Sequence, residues 1–136
     1  MNVIKFRGKN KQRGWIFGSY VEPTSGYGKI EPRGFHKAWI MREAFQQGGW
    51  FTAVQCLPVD EKTVGQLTLA QDENGRDIYE GDIVEHGGVL YEIKYIEKYM
   101  RFAPTRPGVV FAGFAFDHCR VVGNIHDNPE LMEAAE

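Results

Sequence analysis

Sixteen of the 136 residues are glycine, about one in eight against a usual figure of roughly 7%. They stand where they cut the chain into short pieces: Gly8 and Gly14, Gly48-Gly49, Asn74-Gly75, Gly87-Gly88 and Gly108. Glycine supplies the positive φ that tight turns need, and each such turn ends a helix or reverses a strand. A chain so punctuated has little room for long helices. It is expected to fold as a mainly β protein with only a minor helical part.

The pieces between the turns carry strand chemistry. Ile4 and Phe6 alternate with Lys5 and Arg7, and Trp15 to Val21 is aromatic and β-branched, so the opening reads as a hairpin bracketed by Gly8 and Gly14. Pro23 to Gly28 and Pro32 to Gly34 read as loops. Trp39, Met41 and Phe45 share strand parity, while Ala38, Met41 and Phe45 also fit helical spacing; two strands around Gly48-Gly49 are preferred to a helix. Phe51 to Leu57 is a strand that Pro58 is expected to stop. Val64 to Ala70, Ile78 to Val84, Val89 to Ile96, Tyr99 to Ala103, Val109 to Phe116 and Arg120 to Ile125 follow, with a break from Pro104 to Gly108. Strands this short and this closely spaced after Asp77 suit an SH3-like barrel. Asp127 or Asn128 as N-cap, Pro129 and Glu130 start a short C-terminal helix, with Leu131 and Met132 docking and Glu133 to Glu136 fraying. The expected division is 1–66, an N-terminal β-rich lobe, and 67–136, the SH3-like barrel with its helical tail.

Charge is distributed unevenly. The net value is −2, but residues 1–58 carry nine Lys/Arg and three acids, and residues 59–136 carry seven and fifteen. The first lobe is thus basic and the second acidic. Such a dipolar chain can bind a polyanion with one end or bring opposite ends of two subunits together. Lys5, Arg7, Lys9, Lys11 and Arg13 occupy every odd position of the opening, and residues 1–20 contain no acid. With Phe6, Trp15, Phe17 and Tyr20 nearby they form a candidate nucleic-acid or subunit contact. A sequence pI near 6.1 argues against constitutive DNA binding. No apolar run approaches the roughly 20 residues of a membrane-spanning helix, and no membrane partner is expected. Met1 to Arg7 lacks an apolar signal-peptide core, and two cysteines make no disulfide framework; both fit a cytoplasmic protein.

Candidate chemistry is sparse. Asp117-His118-Cys119 with His126 offers a nucleophile and a base, but neighbours on a strand point to opposite faces. No Cys-x-x-Cys or paired-His motif suggests zinc. Asp72 to Asp77 fails as a calcium loop, because Ala70 and Gly81 would fall at ligand positions. Glu80 and Asp82 share a strand face and are the acid/base candidates, with Gly81 read as a bulge between them. Gly-rich phosphate loops and the Gly-x-Ser-x-Gly elbow are absent. No catalytic residue, cofactor or metal is assigned, and the small-molecule ligand is unknown.

The blocks Ile4-Lys5-Phe6-Arg7-Gly8-Lys9, Gly14-Trp15-Ile16-Phe17-Gly18, Thr63-Val64-Gly65-Gln66, Asp77 to Val84 and Val122 to Leu131 together resemble the YopX family of phage and prophage proteins. The resemblance spans nearly the whole chain and departs from the family pattern mainly between Pro23 and Pro58 and between Arg101 and Gly108. It implies a small β-rich protein with a barrel-like C-terminal part, acting inside the bacterial cell and assembling as a homo-oligomer. It implies no reaction. The expected function is a non-catalytic, self-assembling binding module; nucleic-acid binding through the basic hairpin and a small hydrolase using Glu80, Asp82 or His118 are the alternatives.

Overall fold

The computed structural model describes residues 5–21, 38–47, 51–110 and 116–133. The chain divides into two compact units that meet in sequence between Gln66 and Leu67. The first holds β1 (Phe6–Asn10), β2 (Gly14–Val21), β3 (Ala38–Gln47) and most of β4 (Phe51–Gln71). β1 and β2 form the expected hairpin, with Phe6 opposite Gly18 and Asn10 opposite Gly14. β2 pairs with β3 and β3 with β4, all antiparallel. β1 then pairs with β4, so these four strands close on one another. Residues 38–47 are therefore strand rather than helix. The loops expected at 23–28 and 32–34 and the turn at 48–49 lie outside the described residues.

Strand parity decides what fills this unit. Ile16, Ala38, Ile40, Leu57 and Val59 form the core, with Phe6, Tyr20 and Val64 packed against it. The parity shared by Trp39 and Met41 is thus the outer one. Two expectations are corrected here. Gly8 does not bracket the turn but lies within β1, where a Cβ would come 2.7 Å from Val59 Cγ2; the turn residue is Gly14, with φ +78°. Pro58 does not stop its strand. It sits opposite Trp39, and β1 reaches β4 only at Asp60, so on that side no ladder bond falls at position 58. Between Asp60 and Gly65 β4 bulges, since Lys9 faces Asp60 while Arg7 faces Gly65. Thr63 ties the bulge, its Oγ1 donating to the Asp60 carbonyl at 2.6 Å and accepting from the Lys9 amide at 2.8 Å.

The second unit holds β5 (Asp77–Tyr79), β6 (Asp82–His86), β7 (Val89–Ile96), β8 (Arg101–Arg106), β9 (Val109–Val110), β10 (Arg120–Asn124) and the single-turn helix α1 (Glu130–Glu133). β5 extends the first sheet from β4, and the others form a second antiparallel sheet in the order β10-β6-β7-β8-β9. Its core is Ile78, Val84, Tyr91, Ile93, Cys119 and Val121, with Ala70, Val89, Phe102 and Phe116 against it. Among the described residues, strands that close on one another are found in the first unit; the second sheet has an open order. The fold is mainly β, as expected.

Several boundaries differ from the sequence reading. Ile78 to Val84 is two strands, because Gly81 (φ +92°) turns the chain. The Gly81 amide donates to the Ile93 carbonyl at 2.8 Å and its carbonyl accepts from the Ile125 amide at 2.9 Å, so a turn, not a bulge, separates β5 from β6. Tyr99 belongs to a short 3-10 turn closed by Met100 in the left-handed conformation. Pro104 lies inside β8 opposite Ile93, and the chain turns at Pro107-Gly108 instead. Residues 111–115 of the expected strand Val109 to Phe116 lie outside the described residues, and Phe116 begins a 3-10 turn. Ahead of the C-terminal helix the Asn128 carbonyl accepts from the Leu131 amide at 3.1 Å, while its Oδ1 turns back to accept from the Asn124 amide at 3.3 Å. Met132 is buried, and the end expected to fray, 134–136, is outside the described residues.

Candidate functional site

The acid/base candidates are engaged by the fold itself. Asp82 is buried, and its Oδ2 accepts from the Tyr79 amide at 2.8 Å, holding the turn between β5 and β6 closed. Glu80, half-buried, faces another acid. Burial pushes the Glu92 carboxyl up, Lys94 with Nζ at 4.0 Å lowers it, and the charge of Glu80 raises it again. His118 is exposed with Nε2 3.8 Å from Asp117, and its carbonyl lies 3.2 Å from His86 Nδ1. His126 is exposed in the turn after β10, its amide donating to Asn124 Oδ1. Among the described residues no group of three or more His, Cys, Asp or Glu is arranged to hold a metal ion.

Cys119 is the reverse of an activated nucleophile. Its side chain is wholly buried, and Sγ donates to the Phe116 carbonyl at 2.9 Å. Burial, and then the negative charge of Asp72, push its thiol up to about 11. Thiolate is the reactive species, so at pH 8 Cys119 is expected to resist iodoacetamide in the native protein and to react once urea unfolds it. Mass mapping of the alkylated peptides checks this; native alkylation of Cys119 at the rate of a free thiol would contradict it.

The five basic candidates do not form one solvated row. Arg7 and Lys9 face the same side of β1 as Trp15 and Phe17 on β2, because Arg7 stands opposite Phe17 and Lys9 opposite Trp15. Arg7 is only 5% exposed, its guanidinium carbon 4.7 Å from the centre of the Trp15 ring, with Lys9 Nζ 5.9 Å from the same ring. Cation–π attraction of this kind grows as water is excluded. Lys11 and Arg13 are exposed in the hairpin turn, where Asn10 Oδ1 accepts from the Gln12 and Arg13 amides. Lys5 is half-buried ahead of β1. Phe6 and Tyr20, expected beside the charges, lie on the inner face with ring centres 5.5 Å apart.

The feature that sequence reasoning missed is an apolar row on the outer face of the closed strands. Phe17 (46% exposed), Val21 (36%) and Met41 (38%) are open to solvent. Ser19 stands opposite Met41 and Val21 opposite Trp39, while Met41 stands opposite the exposed Cys56, so all share one side. Trp39-Ile40-Met41 is apolar at both parities, which hides the row in the sequence. The second unit also exposes Tyr95, Tyr99, Met100, Val109 and Val110. Of its other aromatics Tyr91 is core, Phe102 and Phe116 pack on the core, and Phe111 and Phe114 lie outside the described residues.

What these features define is an antiparallel β protein of two units, in which buried Thr63 and Asp82 secure a bulge and a turn and exposed Phe17, Val21 and Met41 line one strand face. Within that class the chain belongs to the YopX family, whose model, described as YopX protein, matches residues 5–133. The fold is similar to the crystal structure of protein EF1440 from Enterococcus faecalis, with a TM-score of 0.50 and 21% identity over 96% of this chain and 98% of that one. No curated protein matches the chain.

Proposed function

We propose that this YopX family protein is a phage- or prophage-encoded, non-catalytic binding module that assembles with copies of itself in the cytoplasm of the bacterial host. The observation that carries the reading is the outer face of the first unit. Phe17, Val21 and Met41 are exposed on that one face, and exposed apolar residues gathered on one face, as distinct from singly scattered ones, favour a contact surface. The non-catalytic part is supported by Asp82, His118 and Cys119, each held in a separate structural setting. We read residues 67–136 as an SH3-like barrel, on the support of short antiparallel strands packed on one core; SH3-like folds host many ligands and select none.

Light scattering at several salt concentrations tests the assembly. The mass at low salt is expected to be a multiple of 15.5 kDa and to fall as salt screens the opposed charges. A mass of one chain at every salt concentration would overturn the reading. Nucleic-acid binding is the second reading, favoured by Lys9 beside Trp15 and by the exposed Lys11, Arg13 and Phe17. Adding a single-stranded oligonucleotide to the same measurement is expected to leave the mass unchanged. A rise that salt abolishes would put nucleic acid first.

A further inference from the structure

We propose that Asn74 is a deamidation site of this protein, and that Asp72 holds it unreactive for as long as the turn after β4 stays closed. Asn74-Gly75 is the one place in the sequence where asparagine precedes glycine. Succinimide formation needs the backbone nitrogen of the following residue to reach the asparagine Cγ, and glycine puts no side chain in the way. Val3, Lys11 and Ile125 follow Asn2, Asn10 and Asn124 with a side chain, and Pro129 after Asn128 has no amide proton to lose. The fold also occupies the other described carboxamides. Asn10 Nδ2 donates to the Pro58 carbonyl at 2.8 Å, Asn124 Nδ2 donates to Asp127 Oδ2 at 3.1 Å, and Asn128 Oδ1 accepts from the Asn124 amide. Asn74 is exposed, and its carboxamide has no hydrogen bond to another described residue.

The attacking nitrogen is what the fold restrains. Asp72 gathers three consecutive amides: Asn74 and Arg76 donate to its Oδ1 at 2.9 Å, and Gly75 donates to its carbonyl at 3.0 Å. The Asp72 amide donates in return to the Arg76 carbonyl at 2.9 Å. For the reaction the Gly75 N–H must give its proton to a solvent base, and a bonded amide releases its proton only when the bond opens. Once open, the Gly75 nitrogen bonds to Asn74 Cγ, the Cγ–Nδ2 bond breaks and Nδ2 leaves as ammonia. Water then opens the ring at either carbonyl and leaves aspartate or isoaspartate at position 74; no oxidant or reductant takes part. Isoaspartate routes the backbone through an extra methylene inside the arc that Asp72 holds, so the three amides cannot all keep their bonds. Because Asp72 Oδ2 also holds the Val121 amide of β10 at 3.0 Å, the modification is expected to loosen β10 as well.

Peptide mapping after incubation at pH 8 tests the site and its guard. The folded wild type is expected to deamidate at Asn74 before any other asparagine, and to do so about tenfold or more slowly than in urea. Asp72→Ala, while folded, is expected to speed the reaction about tenfold, and the two chains should react alike in urea. Met132→Ala weakens the packing of the buried Met132 without touching the turn, and is expected to keep the wild-type rate. The proposal fails if another asparagine reacts first, or if folded and urea-unfolded wild type react equally fast, a comparison that needs no variant. It fails also if Asp72→Ala reacts like wild type. If Met132→Ala speeds Asn74 as much as Asp72→Ala does, the opening is global unfolding and Asp72 is no guard. The isoaspartate fraction, separated from its parent, is expected to unfold at lower urea; equal midpoints would overturn the link to β10.

Discussion

Gly18→Ala is expected to cost on the order of 3 kcal/mol or more, enough to unfold the first unit of a marginally stable protein. Gly18 lies on the inner face of β2, where the closed strands bring β3 close. A Cβ built there falls on the carbonyl oxygen of Met41, with the Met41 carbonyl carbon at 3.0 Å and Ile40 Cγ2 at 3.2 Å. The obstruction is backbone and cannot swing aside as a side chain end can. Relief requires β2 to move from β3, which breaks the pairing of Ser19 with Met41 and of Tyr20 with Ile40. Gly8→Ala is the milder case. There the added Cβ meets the Val59 side chain, at 2.7 Å from Cγ2, so Val59→Ala should recover part of the loss. Gly14→Ala meets nothing within 4 Å and bears only the strain of φ +78°, about 1 kcal/mol. The order of damage is therefore Gly18, then Gly8, then Gly14. Urea titration followed by tryptophan emission checks it, because all three tryptophans fall before residue 67. A Gly18→Ala midpoint equal to wild type would show that the strands are not closed this tightly.

Turns were the legible part of this chain because their cause is local. Gly87 and Gly88 both take positive φ, as does Gly75 after Asn74, and few other residues adopt that conformation without strain. The hairpin of β1 and β2 was equally readable from period-2 alternation. What escaped was decided by distant partners. Gly81 reads as a bulge until the Ile93 carbonyl and the Ile125 amide are seen to bind it from either side. Pro58 and Pro104 read as breaks, yet each sits within a strand, where neighbouring pairing sets the cost of a missing amide. Arg7 shows the same limit at the candidate site. Alternation places it correctly beside Trp15, but nothing local says that it is buried while Lys11 and Arg13 are exposed. Phe17 and Met41 were visible as residues but not as a surface, because only the choice of Ile16 and Ile40 for the core turns them outward.

Asp72→Ala is expected to destabilise the second unit by about 3 kcal/mol at neutral pH, with a smaller loss in acid. This buried carboxylate ties the turn after β4 to β10: Oδ1 accepts from the Asn74 and Arg76 amides at 2.9 Å, and Oδ2 from the Val121 amide at 3.0 Å. Asn74 and Arg76 are exposed and water can replace their bonds, but Val121 is buried. Its abandoned amide costs about 1–3 kcal/mol, and bonds to a charged acceptor contribute about 1.5–3 kcal/mol. Asp72→Asn retains an oxygen for the turn but sets an NH2 group against the Val121 amide, so an intermediate loss is expected. The pH dependence follows from the acid's own titration. Burial pushes the Asp72 carboxyl up, but the amides of Val121, Arg76 and Asn74 and the charge of Arg76 outweigh it, leaving the folded value below the ordinary 3.8. A depressed value means that the folded state favours the ionised acid. The resulting stability is therefore fully present above about pH 4 and is lost as pH falls through the folded value. Neither variant can lose what it no longer has, so the gap between wild type and Asp72→Ala should narrow between pH 7 and pH 3. Urea titrations at the two pH values, followed by far-ultraviolet circular dichroism, measure that gap. A gap of equal size at both would mean that Asp72 acts through its shape and not through its charge.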